Sequence, residues 1–469
     1  MKIKKTIYFI IIFLIFTSAA AYPQDFNTEN IKNTIKILSS DKYRGRLAGD
    51  KGNALAAEYI SSYFKSLGLK EGGDNNTFYQ KFEIIVPFIT GDCRLKVIDK
   101  SGKTVKEYEY GKDFKELIYG ASVKGEVVGK IKSDNNEGTI EIIEGGFGEN
   151  SLEYSQDLIL KKSGIKAVLY TTNMNFRFRS PYKLQKTYDD GIVKLMISKN
   201  ILNEILKYSS LGYSFYIKSP VEVKKVYASN VIGILEGSDK NLPPVILSAH
   251  FDHVGFDADG KIYPGALDNA SGTALLLECA RVLKSSNQKR TIIFAAFNGE
   301  EEGLIGSKYF TENPPIDIKG AECINFDMVG SIDKAPLSIL SLESRAEFSS
   351  QLFKIISPKV STKLMYDDNS DHAPLCRAGI DAVTLIHDNI TKIHTPNDTL
   401  ENVDVKRIKE VYTAAEAFLK YRDIVMVSSQ FNNKHHIPVE AFIFSAIILI
   451  SAGIRAALYL KKKCHPVDK

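Results

Sequence analysis

The run TIIFAAF (291–297) carries no charge and consists of β-branched, aromatic and small apolar residues. A strand with one solvated face would alternate, so this run reads as a strand buried on both faces, as in parallel sheets. Similar runs recur at 231–235, 245–249, 322–326 and 382–386, interleaved with helical patterns such as SGTALLLECARVLKSS (271–286). The alternation from residue 228 onward predicts an α/β fold: a mostly parallel sheet flanked by helices. In such sheets ligands bind beyond the carboxyl ends of the strands.

The rest of the chain has a different character. Residues 53–67 place apolar side chains at a helical period that closes at Gly68, which predicts an amphipathic helix docked on the α/β domain. From 85 to 225 short alternating segments, glycine turns and many Lys and Tyr suggest a separate β-rich module with one or two helices. All eight histidines lie at or after position 250. An imidazole metal site therefore belongs to the α/β domain.

Both ends carry membrane signals. MKIKK followed by TIYFIIIFLIFTSAAA has the basic start, apolar core and small residues of a cleavable export signal over 1–21. AFIFSAIILISAGIRAALYL (441–460) is 20 residues of apolar character followed by Lys461, Lys462 and Lys463, long enough to span a bilayer core with its basic end in the cytoplasm. The expected order is a signal at 1–21, a helical part of the α/β domain at 22–84, the β-rich insert at 85–225 and the rest of the α/β domain at 226–425. A linker (426–436), a transmembrane helix (437–460) and a tail (461–469) complete it, with the main body outside the cytoplasm. The net charge of +5 is concentrated at these ends: residues 1–21 hold +3 and 434–469 hold +4, leaving −2 between them. No nucleic-acid footprint results. Cys93, Cys279, Cys323 and Cys376 have no CxxC spacing, and no zinc knuckle follows from them.

Five short motifs hold the chemistry. VILSAHFDHVG (245–255) ends a predicted strand with His250 and Asp252; PGALDNASG (264–272) places Asp268 before a helix start; FNGEEEGLIGS (297–307) sets Glu300, Glu301 and Glu302 past another strand. CINFDMVG (323–330) ends a strand with Asp327, and IHTPNDT (393–399) carries His394 in a loop. Each alone fits a bland alternative, such as an ordinary loop or a helix cap. Together they put carboxylates and imidazoles at successive strand ends of one sheet, which chance rarely arranges. Hard oxygens with two imidazoles suit zinc, or less specifically manganese or cobalt. One zinc needs three protein ligands; five ligands and a spare carboxylate favour two ions about 3.5–4 Å apart.

In order and content these motifs resemble the zinc aminopeptidases of peptidase family M28. The similarity extends upstream to LSSDKYRGRLAGDKGNALAAEYISSYFKSLGL (38–69), and the 85–225 module resembles a protease-associated (PA) insert. The resemblance implies a zinc-exopeptidase fold of the phosphorylase/hydrolase-like kind and two Zn2+ per chain. It implies that Asp268 bridges the ions, that His250 and Asp327 complete one site, and that Glu301 and His394 complete the other. Glu300 becomes the general base for a metal-bridging water, Asp252 orients His250, and Glu302 falls at a variable position as a solvated residue of the next helix's first turn. Leu267 stands where many relatives have a second Asp. The same resemblance assigns peptide substrates, leaves His372 or Asp371 as candidate substrate contacts, and sets His253 and His387 aside as loop or edge histidines. Rival readings are a single-zinc glutaminyl cyclase, a non-catalytic receptor ectodomain, and a carboxypeptidase with Arg377 as its terminal-carboxylate cation. Side-chain preference, disulfides and oligomeric state are not legible.

Overall fold

Four strands, buried throughout apart from Asp381 at the start of the last, form the middle of a nine-stranded sheet: β4 (Val245–His250), β5 (Ile292–Phe297), β6 (Glu322–Asp327) and β9 (Asp381–Ile386). They run parallel in the order β5-β4-β6-β9. The computed structural model describes residues 25–133, 137–144, 154–180, 187, 191–286 and 288–424. The expected export signal, linker, membrane segment and tail lie outside these residues. Among the described residues no helix is long and apolar enough to cross a membrane.

The outer strands make the sheet mixed rather than mostly parallel. β3 (Val221–Leu235) pairs antiparallel with β5, and β7 (Leu337–Ser341) pairs antiparallel with β9 and parallel with β8 (Thr362–Tyr366). β1 (Lys70–Glu71) and β2 (Tyr79–Ile89) add antiparallel partners to β3. Helices cover both faces. Ile305–Glu312 and His372–Arg377 bring Phe310 and Leu375 onto a core with Ile246, Ile293, Phe297 and Cys323. The buried helix Gly272–Leu283 packs against β4 and β6 from the other side. The expected amphipathic helix is Lys51–Ser66, capped by Asp50, whose side chain accepts the Gly52 N–H. All four cysteines at 93, 279, 323 and 376 are buried and free.

Between β2 and β3 the chain builds two further four-stranded sheets. Thr104–Glu107, Arg94–Ile98, Ser214–Ser219 and Gly125–Gly129 form an antiparallel sheet. Phe114–Glu116, Val193–Ser198, Ala167–Thr172 and Ile140–Ile143 form a mixed one. Leu95, Val97, Phe215 and Ile217 of the first share one core with Leu169, Leu195 and Ile197 of the second. This insert joins the main sheet through a ribbon, because β2 and β3 pair without a break from Tyr79↔Val231 to Ile89↔Val221. The expected boundaries at 85 and 225 fall inside that ribbon.

Candidate metal centre

Strand ends and the loops after them converge at the carboxyl edge of β4, β5 and β6. His250 is the last residue of β4, and its Nε2 lies 3.2 Å from Asp327 Oδ1 at the end of β6 and 3.4 Å from Asp268 Oδ1. The other oxygen of Asp268 lies 2.9 Å from His394 Nε2, which is 3.1 Å from Glu301 Oε2. Asp268 therefore turns one oxygen to each of two donor sets. The sets are His250, Asp268 and Asp327, and His253, Asp268, Glu301 and His394, with the donor atoms of each set within 4.8 Å of one another.

Neighbouring groups fix these side chains. Asp268 sits in the turn Ala266–Ser271, and the N–H groups of Leu267 and Asp268 donate to the two oxygens of Asp398 at 2.7 and 3.0 Å. Beneath the turn lies Arg46, fully buried, whose guanidinium donates to the carbonyls of Leu38, Phe251, Pro264 and Gly265. Gly265 has φ 60°, and a Cβ there would meet Asp268 O at 2.4 Å and His253 Cδ2 at 2.6 Å. Asp252 accepts the Glu301 N–H at 3.1 Å while its other oxygen faces His250 Nδ1 at 3.6 Å. Asp327 Oδ2 accepts from Ser370 Oγ at 2.7 Å.

The three glutamates separate by environment. Glu301 enters the second donor set. Glu300 is half-buried at the edge of the centre; burial raises its carboxyl well above the ordinary value, with Glu301, Asp327 and Asp371 adding to the rise and His250 opposing it. Glu302 differs from the expectation of a solvated first-turn residue. It is buried, and burial together with Asp252 and Glu301 pushes its carboxyl well up, favouring the neutral form. The helix that follows starts only at Ile305, so Glu302 lies in a turn folded back under the strand ends.

The remaining candidates divide. His253, set aside on sequence, is fully buried with Nδ1 3.0 Å from Glu301 Oε1. A histidine three residues after His250, just past a strand end, is the signal that could have pointed to it. His372 uses both ring nitrogens within the protein, on Thr384 Oγ1 and Asp367 O at 2.9 Å each. His387 Nδ1 accepts the Gly330 N–H at 2.9 Å. Asp371 is buried, and desolvation pushes it up to about 7. Arg377 is exposed and pairs with Asp368. Asp398 and Arg46 were not singled out on sequence, although both lie in stretches that carry the resemblance.

The donor chemistry fits divalent ions. Burial holds imidazoles neutral, yet Asp327 and Glu300 raise His250, and Glu301 and Asp268 raise His394, well above the ordinary value despite it. The clustered carboxylates thus draw positive charge into a dry site, and hard oxygens with imidazole nitrogens are the ligand set zinc takes.

The chain is similar to several known proteins. The model for peptidase family M28 matches residues 230–419. Aminopeptidase YwaD of Bacillus subtilis (strain 168) is 34% identical over 197 residues, covering 39% of this chain and 42% of that protein. A probable zinc metalloprotease of Pyrenophora teres f. teres is 29% identical over 214 residues, covering 44% of this chain and 40% of that protein. The matches thus span about two fifths of the length of these curated relatives. The structure of the aminopeptidase from Aneurinibacillus sp. strain AM-1 superposes with a TM-score of 0.61 at 25% identity, covering 86% of this chain and 96% of that one. The fold of BSAP, a zinc aminopeptidase from Bacillus subtilis, gives a TM-score of 0.57 at 24% identity over 85% of this chain and 95% of that one. Residues 230–419 of this chain are a domain of peptidase family M28.

Proposed function

We propose that the chain is a two-zinc aminopeptidase that removes N-terminal residues from peptides. We further propose that it is exported and held at the membrane by 441–460, with the 85–225 insert as a PA-like domain. One observation carries the catalytic reading: the two oxygens of Asp268 face two separate donor sets. In this reading His250 and Asp327 hold one ion, Glu301 and His394 the other, and Asp268 both. Bound there, the ions supply Lewis acidity, lowering the pKa of a coordinated water toward neutrality and polarising the scissile carbonyl. Glu300, at the open edge of the site with an elevated proton affinity, accepts the proton of the attacking water and returns it to the leaving amine. Asp252 keeps Glu301 and His250 in place through the Glu301 N–H and the His250 ring.

The names of the relatives support release from the amino end. The position of Arg377 agrees, because a cation already paired with Asp368 on the surface is poorly placed to receive a substrate's terminal carboxylate. The test uses the full-length chain against a panel of aminoacyl reporter amides with metal content measured alongside. Chelator-sensitive turnover, two zinc ions per chain, and a loss of about 10²–10⁴-fold in kcat for Glu300→Gln with zinc retained are expected. One tightly held ion per chain would favour the glutaminyl cyclase reading. Undiminished turnover by Glu300→Gln would remove that residue from its role.

A further inference from the structure

Among the described residues, the insert loop that carries Phe178 and Arg179 reaches the metal centre. There the Phe178 ring lies 5.9 Å from the His394 ring with the planes 30° apart. Beside it, the Arg179 N–H donates to the His394 carbonyl at 2.9 Å.

His394 needs such support for two reasons. Its φ is 54°, a left-handed conformation that costs a residue with a Cβ about 1–2 kcal/mol and persists where the surroundings over-determine it. A ligating histidine is also commonly oriented by a hydrogen bond from its second ring nitrogen. Among the described residues, His394 Nδ1 has no such partner. Stacking on one side of the ring and a hydrogen bond to the backbone take that place.

The supporting loop is itself anchored. The Arg179 guanidinium, almost wholly buried, bonds Glu116 of the insert at 2.7 Å and Asp257 of the α/β domain at 2.9 Å. Asp257 also receives Lys115 at 2.7 Å and the Tyr263 hydroxyl at 2.9 Å. Insert, supporting loop and the segment between His250 and Asp268 are thus tied at one point.

We propose that the insert positions a metal ligand: Phe178 and Arg179 hold His394, and through it the ion assigned to Glu301 and His394. This rests on the two-ion reading above. Phe178 is a positioning residue here, and its removal should loosen one ion and leave the ion on His250 and Asp327 alone.

The experiment compares full-length wild type, Phe178→Ala and Phe178→Tyr by zinc titration against a chromophoric chelator. Hydrogen exchange of 391–398 is followed in the zinc-free proteins. The alanine variant should bind one of the two ions about tenfold more weakly and exchange faster in 391–398, with both properties restored by tyrosine. Unchanged zinc affinities and unchanged exchange, with only KM raised, would overturn the proposal and leave Phe178 as a wall of the substrate cleft. Equal weakening of both ions with faster exchange across the whole chain would overturn it as well. If wild type itself holds fewer than two ions, the two-ion reading fails, and the exchange comparison alone still decides whether the insert holds His394.

Discussion

Three adjacent glutamates of one chemical type occupy three different surroundings, and the difference arises in the backbone around them. Gly299 and Leu304 both have positive φ, 75° and 62°, so the six-residue turn coils tightly enough to send Glu301 into the donor set and Glu302 into the protein. The family resemblance assigns the ligand role to Glu301 but could not show that Glu302 is buried, because the turn's dihedrals are not written in its composition. A buried carboxyl held neutral behaves much like its amide. Glu302→Gln should therefore leave kcat/KM within a few-fold of wild type, in contrast to Glu300→Gln; a loss matching that of Glu300→Gln would mean that Glu302 takes part in the chemistry. His253 was missed for a related reason. A lone histidine in a loop has no periodicity, and only the fold places its ring 3.0 Å from Glu301.

At the scale of elements, the strands buried on both faces were legible because an uninterrupted apolar run has few other uses. β4, β5, β6 and β9 begin and end within a residue of where the runs do. The strand β7 and the edge strand β8 escaped notice: LSILS is short and serine-rich, and TKLMY is half-exposed along its length. That omission hides the antiparallel pair β7–β9, and the sequence does not mark β3 as antiparallel to β5; together these make mixed a sheet that reads as mostly parallel. The turn carrying Asp268 is held from three sides, by Asp398, by Arg46 and by the absence of a side chain at Gly265. Gly265→Ala should destabilise the fold by more than about 1 kcal/mol, since left-handed backbone and a 2.4 Å contact oppose it together. It should also weaken zinc binding by moving Asp268. Thermal unfolding and chelator competition check both effects, and retention of wild-type zinc affinity would show that the turn tolerates displacement.

For the whole molecule, the junction of insert and α/β domain is electrostatic and buried. Asp257 faces Lys115, Arg177 and Arg179. Burial raises its carboxyl, but Arg179 and Lys115 outweigh burial and hold it below the ordinary value. A carboxyl depressed in the folded state stabilises fully above its unfolded pKa of about 4 and loses that contribution as pH falls through the folded value. Calorimetry from pH 7 down to about 3 should therefore show Tm falling on the acid side. Asp257→Asn should cost about 3–5 kcal/mol at pH 7 by depriving buried Lys115 of the carboxylate it pairs with and should show a shallower further fall with acid. An equally steep fall in the variant would assign acid sensitivity elsewhere. The insert's existence was legible from its change in composition, whereas its attachment was not, since pairing between residues 130 or more positions apart leaves no local trace. That attachment has a structural corollary. Ile89 and Val221 stand opposite each other in the ribbon, so the whole insert occupies the place of a hairpin turn. A two-residue Asn-Gly connection between them would close the ribbon in its native register, yielding a shortened α/β core whose His394 loop has been stripped of its neighbour.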